Sequence, residues 1–136
     1  MNEPSGEPIQ KDTSAKVLIV DDGQYIRRLL SIPLRKKYEV IEAEGGAGAL
    51  RSIEFHQPKV VLLDIMMPGV IDGLQVLDFI KSDPRFKDIR VAMVTARGQA
   101  KDWSIAQKRG ADAYFVKPFS PGEVVAWVDS VLPPSL

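Results

Sequence analysis

Residues 59–64 read Lys-Val-Val-Leu-Leu-Asp, an apolar run that stops on a carboxylate. A strand with one wet face alternates apolar and polar residues, whereas one buried on both faces is continuously apolar. The same shape recurs in Val17-Leu18-Ile19-Val20, which stops at Asp21-Asp22. It recurs again in Val91-Ala92-Met93-Val94, which ends at Thr95, and in Ala113–Val116, which ends at Lys117-Pro118. Tyr38–Ala43 reads as a further strand. Between these runs the apolar residues return at helical spacing. Ile26, Leu29, Leu30, Pro33 and Leu34 mark one stripe, on which Pro33 should pack while kinking the helix. Gly46–Phe55 is a helix weakened by its glycines. Leu74, Val76, Leu77 and Ile80 mark a third helix that ends near Asp83-Pro84. Gln99–Arg109 is a fourth, closed by Gly110, and Val124, Trp127, Val128 and Val131 mark a fifth, stopped by Pro133-Pro134. Five strand–helix alternations with short connections imply right-handed crossovers and a parallel sheet covered on both faces. The expected fold is α/β, a doubly wound five-stranded parallel sheet in the order 2-1-3-4-5 with five helices.

With 136 residues and 45% hydrophobic composition, the chain suits one ordinary domain. Residues 1–14, MNEPSGEPIQKDTS, are polar and aperiodic and are expected to form a disordered tail before a domain spanning 15–136. The chain has no cysteine, which excludes disulfides and thiolate metal sites. Lys+Arg and Asp+Glu are both 18, so there is no excess positive charge to hold nucleic acid. No apolar run approaches the roughly 20 residues a membrane span needs, and the N-terminus lacks a signal-peptide pattern. A cytoplasmic protein engaging neither membrane nor nucleic acid is expected.

The strand ends carry the chemistry. In open parallel sheets ligands bind outside the carboxyl ends of the strands, beside the point where strand order reverses. Here that point lies between the first and third strands, so Asp21, Asp22 and Asp64 should meet, with Thr95 and Lys117 nearby. One polar residue ending a strand is usually a turn or cap residue. Four strands ending this way on one edge call for another explanation. Three converging carboxylates either have raised pKa values or share a cation. With only oxygen ligands to offer, they suit Mg²⁺. A hard cation, an ammonium, a hydroxyl and a free carboxylate together suit phosphoryl transfer, with the carboxylate as acceptor.

The segments VLIVDD, VVLLDIMMP with its following DG, VAMVTA and GADAYFVKPF resemble the receiver domain of bacterial two-component response regulators. The resemblance covers about residues 16–132 and implies a flavodoxin-like fold. It implies that Asp64 is the phosphoacceptor. It implies that Asp22 and Asp64 bind Mg²⁺ directly, Asp21 through water, and the Met66 backbone carbonyl completes the protein ligands. Lys117 would contact the phosphoryl group, Thr95 would hydrogen-bond it, and Tyr114 would be the aromatic switch residue. A cis Lys117–Pro118 bond is implied too. The partners would be a histidine kinase or histidine phosphotransfer protein, and a downstream target met by the fourth helix, fifth strand and fifth helix. The protein would not be an enzyme acting on separate substrates, but a module catalysing its own phosphorylation and dephosphorylation. The sequence departs from the pattern at Gly23, where an acidic residue is common, and in Met67–Gly73, which is one residue longer than usual.

Competing readings are weaker. Haloacid-dehalogenase-like phosphohydrolases carry a second Asp two residues after the first, where this chain has Met66. A receiver-like module working without phosphate would have lost the Asp or Lys positions. The receiver half of a DNA-binding or hybrid-kinase protein would look the same as a stand-alone receiver. His56 is expected to be an exposed loop residue, Trp127 a core residue, Trp103 partly exposed and Arg85-Phe86-Lys87-Asp88 a solvated loop. Arg97 is equally a solvent-facing residue or a phosphate contact.

Overall fold

The computed structural model describes residues 15–132; the expected tail and the Pro133-Pro134 stop lie outside them. Strands and helices alternate as β1 Lys16–Val20, α1 Gln24–Arg35, β2 Glu39–Ala43, α2 Gly46–His56, β3 Val60–Leu63, α3 Gly73–Ser82, β4 Arg90–Thr95, α4 Ala100–Lys108, β5 Ala113–Val116 and α5 Pro121–Val131. All strand pairs are parallel, in the order β2-β1-β3-β4-β5, which is the expected topology.

The continuous apolar runs divide their side chains between two cores. Val17, Ile19, Val60, Leu62, Ala92 and Val94 pack with Leu30 and Leu34 of α1 and Val124 and Val128 of α5. Leu18, Val20, Val61, Leu63, Val91 and Met93 take the opposite face, with α2, α3 and Ala106 of α4. Successive strand residues point to opposite sides, so only a run apolar at every position can serve both layers.

Helix ends follow local chemistry. Asp72 caps α3 by accepting the Gln75 N–H at 2.9 Å while the Gln75 side chain accepts the Asp72 N–H at 2.8 Å. Ser120 caps α5, with Pro121 in its first turn. Gln57 stands at φ 50° where α2 ends, a left-handed position usually given to Gly or Asn.

Three expectations are corrected. Pro33 is half-buried, not on the buried stripe, which consists of Leu30, Ser31 and Leu34. It sits in the last turn of a helix that ends at Arg35, so the one intrahelical bond it removes lies next to the helix end. The segment Arg85–Asp88 is not simply a solvated loop: Phe86 is buried in the α2–α3 core, 5.8 Å from Phe79 ring to ring, while the Arg85 guanidinium covers its ring at 4.5 Å. His56 is the last residue of α2 rather than a loop residue and is half-buried against Phe55. Trp127 packs half-buried on the α1–α5 core beside Phe115, and Trp103 is half-buried against Tyr114.

Candidate functional site

The sheet brings the strand ends together as the sequence implied. Asp21 leaves β1 with its N–H on the Ala43 carbonyl, and Asp64 leaves β3 with its N–H on the Val20 carbonyl. These bonds continue the ladder one step beyond the strands and fix both carboxylates at the switch point. Asp21, Asp22 and Asp64 each present an oxygen within 4.8 Å of the others. Asp21 and Asp64 are buried, whereas Asp22 is exposed and gives the cluster its opening to solvent.

Lys117 reaches this cluster from beyond β5. Its Nζ donates to Asp21 Oδ2 at 2.7 Å and to Asp64 Oδ2 at 3.0 Å. Its N–H bonds the Thr95 carbonyl at 2.8 Å, and the Lys117–Pro118 peptide is cis, as the resemblance implied. Burial disfavours a charged ammonium here, yet the two carboxylates outweigh it and hold the Lys117 pKa above its ordinary value. Burial dominates at Asp21 and pushes its carboxyl up, against the lowering effects of Lys117 and the Gly23 N–H. The remaining oxygens are also addressed: Asp21 Oδ1 accepts the Gly23 N–H at 2.8 Å and Asp64 Oδ1 the Met66 N–H at 3.2 Å.

Three carboxylates and one ammonium leave the cluster two negative charges in excess (−3 + 1 = −2). The donor set is all oxygen, part-buried and open on one side. It therefore fits a small hard divalent cation such as Mg²⁺.

Thr95 is fully buried at the end of β4. Its Oγ1 accepts the Arg97 N–H at 3.4 Å, and among the described residues no hydrogen bond joins it to the carboxylates. Tyr114 is not drawn into the cluster. Its hydroxyl donates to the Arg97 carbonyl at 2.6 Å and its ring lies 5.3 Å from Trp103. The Arg97 side chain is exposed, along a groove shared with Met66. The Met66 side chain points to solvent, 55% exposed.

Two supporting residues escaped the sequence reading. A Cβ on Gly73 would lie 2.0 Å from the Asp64 carbonyl oxygen, so α3 can start against the back of Asp64 only with glycine there. The DG pair was visible; this contact was not. Arg27 donates to the Asp21 carbonyl at 2.8 Å and to Glu42 at 3.0 Å, tying α1 to the site through a residue with no motif around it.

The chain has recognisable relatives in sequence and in fold. A probable transcriptional regulator, ycf27 of Guillardia theta, is 42% identical over 125 residues, covering 91% of this chain and 48% of its own. The phosphate regulon transcriptional regulatory protein PhoB of Escherichia coli K12 is 36% identical over 118 residues, covering 86% and 51%. The chain spans about half the length of the curated relatives it matches. A crystal structure of a putative response regulator from Chloroflexus aurantiacus superposes with a TM-score of 0.80 at 34% identity, covering 87% of this chain and 97% of that one. The family model for the response regulator receiver domain matches residues 17–129, and the chain belongs to that family.

Proposed function

We propose that this receiver takes a phosphoryl group on Asp64 from a phosphohistidine of a histidine kinase or phosphotransfer protein, in a Mg²⁺-dependent step. The single observation that carries the reading is the convergence of Asp21, Asp22 and Asp64 on one ammonium, with charge left over. A carboxylate oxygen of Asp64 forms the new O–P bond as the N–P bond to the donor imidazole breaks. The electron pair of that bond returns to the imidazole nitrogen. Asp22, Asp64 and the Met66 carbonyl would hold Mg²⁺ directly, and Asp21 through water. Bound there, the cation neutralises charge on the transferring oxygens. Lys117, already bonded to Asp64, would contact the phosphoryl oxygens. Catalysis is then positioning and charge stabilisation, with no separate substrate turned over. Hydrolysis returns Asp64 to its carboxylate.

Phosphorylation would be read out through Thr95 and Tyr114. Thr95 turns its hydroxyl toward the new oxyanion, and Tyr114 exchanges its bond to the Arg97 carbonyl for an inward position. The surface formed by α4, β5 and α5 then changes its affinity for a target protein. The test is labelling by a phosphorylated kinase or a phosphoramidate with Mg²⁺. Wild type should gain one phosphoryl group and Asp64→Asn none; labelling that survives in Asp64→Asn would sink the assignment.

A second reading keeps the same chemistry but makes the receiver one half of a transcriptional regulator or hybrid kinase. It is favoured by relatives of about twice the length that are named transcriptional regulators. The mass of the protein made in its own cell separates the two.

A further inference from the structure

On the side of the molecule away from β5, α2 carries a second face that the phosphoryl chemistry does not use. Its buried stripe is Gly46, Ala49 and Ile53. Beside it, Arg51, Glu54 and Phe55 face outward, with Phe55 83% exposed, and Leu50 lies half-buried at the edge of the core. These four residues and Phe79 of α3 line a groove of about 450 Å³. A phenylalanine almost wholly in water beside an apolar groove is the kind of surface that marks an interaction site. Phe55 does stack edge-on with His56 at 4.8 Å, but that contact leaves its ring in solvent.

We propose that this face pairs with the same face of a second copy of the chain, α2 against α2 about a two-fold axis. The argument is complementarity. In an antiparallel helix pair related by a two-fold axis, facing residues have position numbers with a constant sum, because the interface is isologous. The register that sets Arg51 against the partner's Glu54 also sets Leu50 against the partner's Phe55. One arrangement therefore makes two ion pairs and two apolar contacts. Arg51 makes no ion pair among the described residues. Glu54 has only a 3.4 Å contact to Arg85, both groups more than half exposed. Arg85 keeps its shorter pair with Asp83, at 2.8 Å, when Glu54 turns away. Both charges are thus available to a partner at little cost. The face is small, so the dimer is weak and concentration-dependent. The proposal makes no use of Asp64.

Sedimentation equilibrium of the whole chain, from micromolar to millimolar concentration, tests this. The weight-average mass should rise toward that of a dimer, equally in wild type and Asp64→Asn. Phe55→Asp should weaken the association at least tenfold with unchanged circular dichroism, because the ring is almost wholly in solvent and its one stacking contact, with His56, is at the surface. Arg51→Glu and Glu54→Arg should each weaken it by setting like charges opposite one another, and the double variant should restore it. A monomer at every concentration overturns the proposal. A dimer indifferent to Phe55→Asp, or a double variant no better than the singles, overturns it too. If the chain stays monomeric and amide shifts at Leu50–Phe55 move only when a kinase or target protein is added, the face belongs to that partner and the proposal fails.

Discussion

Two charged clusters stitch together distant parts of the chain, at opposite edges of the sheet, and they obey different rules. At the amino edge, Asp129 of α5 accepts from Lys37 at 2.6 Å and from the Tyr38 hydroxyl at 2.5 Å, across 92 and 91 positions. Among the described residues, this carboxylate meets one ammonium and one hydroxyl, and the bonds fasten α5 to the start of β2. At the carboxyl edge Lys117 reaches Asp21 across 96 positions, but its one charge faces three carboxylates. The excess at the carboxyl edge is the charge that a bound cation would cancel.

The largest effect that could break this contrast comes from removing each ammonium. Lys117→Met should lower stability without metal by about 2 kcal/mol, because two buried carboxylates lose their cation. Mg²⁺ should return much of that loss. Lys37→Met, at a more exposed pair, should cost about 0.5 kcal/mol and show no Mg²⁺ response. Urea unfolding with and without Mg²⁺ checks both, and equal, metal-insensitive losses would erase the distinction. Next come the carboxylates, where the signs should differ. Burial already disfavours the charge on Asp21, so Asp21→Asn should stabilise the metal-free protein by about 1 kcal/mol. Asp129→Asn should destabilise it by about 1 kcal/mol through its two weakened bonds.

Titration calorimetry sharpens the carboxyl edge. Asp22→Ala should weaken Mg²⁺ binding by roughly tenfold or more, and by more than Asp21→Ala, since under the proposed ligand set a direct ligand is lost rather than one acting through water. At the amino edge the sharper probe is alkaline pH. Burial first, and Asp129 second, push the Tyr38 hydroxyl well above its ordinary value of 10.0. Its contribution is therefore complete below pH 10 and is lost as pH rises through the higher folded value, because the unfolded chain ionises first. Wild type should show a downward slope of stability above pH 10 that Tyr38→Phe lacks. The smallest signal is optical. Trp103 lies on Tyr114, so a beryllofluoride mimic with Mg²⁺ should change its emission in a Trp127→Phe background. Thr95→Ala should blunt that change.

The sequence displayed the fold and the charged residues for one physical reason. Burial on both faces demands unbroken apolar runs, and each run advertises its end by the first polar side chain. Asp21, Asp64, Thr95 and Lys117 were legible because each is such an end. What stayed hidden depends on close approach between segments far apart in the chain. Phe86 looked solvated because three charged neighbours surround it, yet its ring alone decides its place in the core. Pro33 matched the stripe spacing, but the helix ends two residues later and leaves it at the margin. Gly73 could be read as part of a turn, not as the one residue that lets α3 touch Asp64. The resting position of Tyr114 depends on the carbonyl of Arg97, a group that no side-chain pattern reveals.

The connection between β3 and α3 is pinned at two points by missing side chains. Gly73 lies against the Asp64 carbonyl, and a Cβ on Gly46 would strike the Ile71 carbonyl at 2.3 Å. Between these points Gly69 takes φ 107° with nothing near it, and Val70 is 93% exposed. The connection thus bulges outward at Gly69-Val70, while the two close contacts seat its ends beside Asp64 and α2. A residue or label added at the Gly69-Val70 tip should therefore leave the nearby carboxylates undisturbed, and an unchanged Mg²⁺ affinity of such a variant would check it.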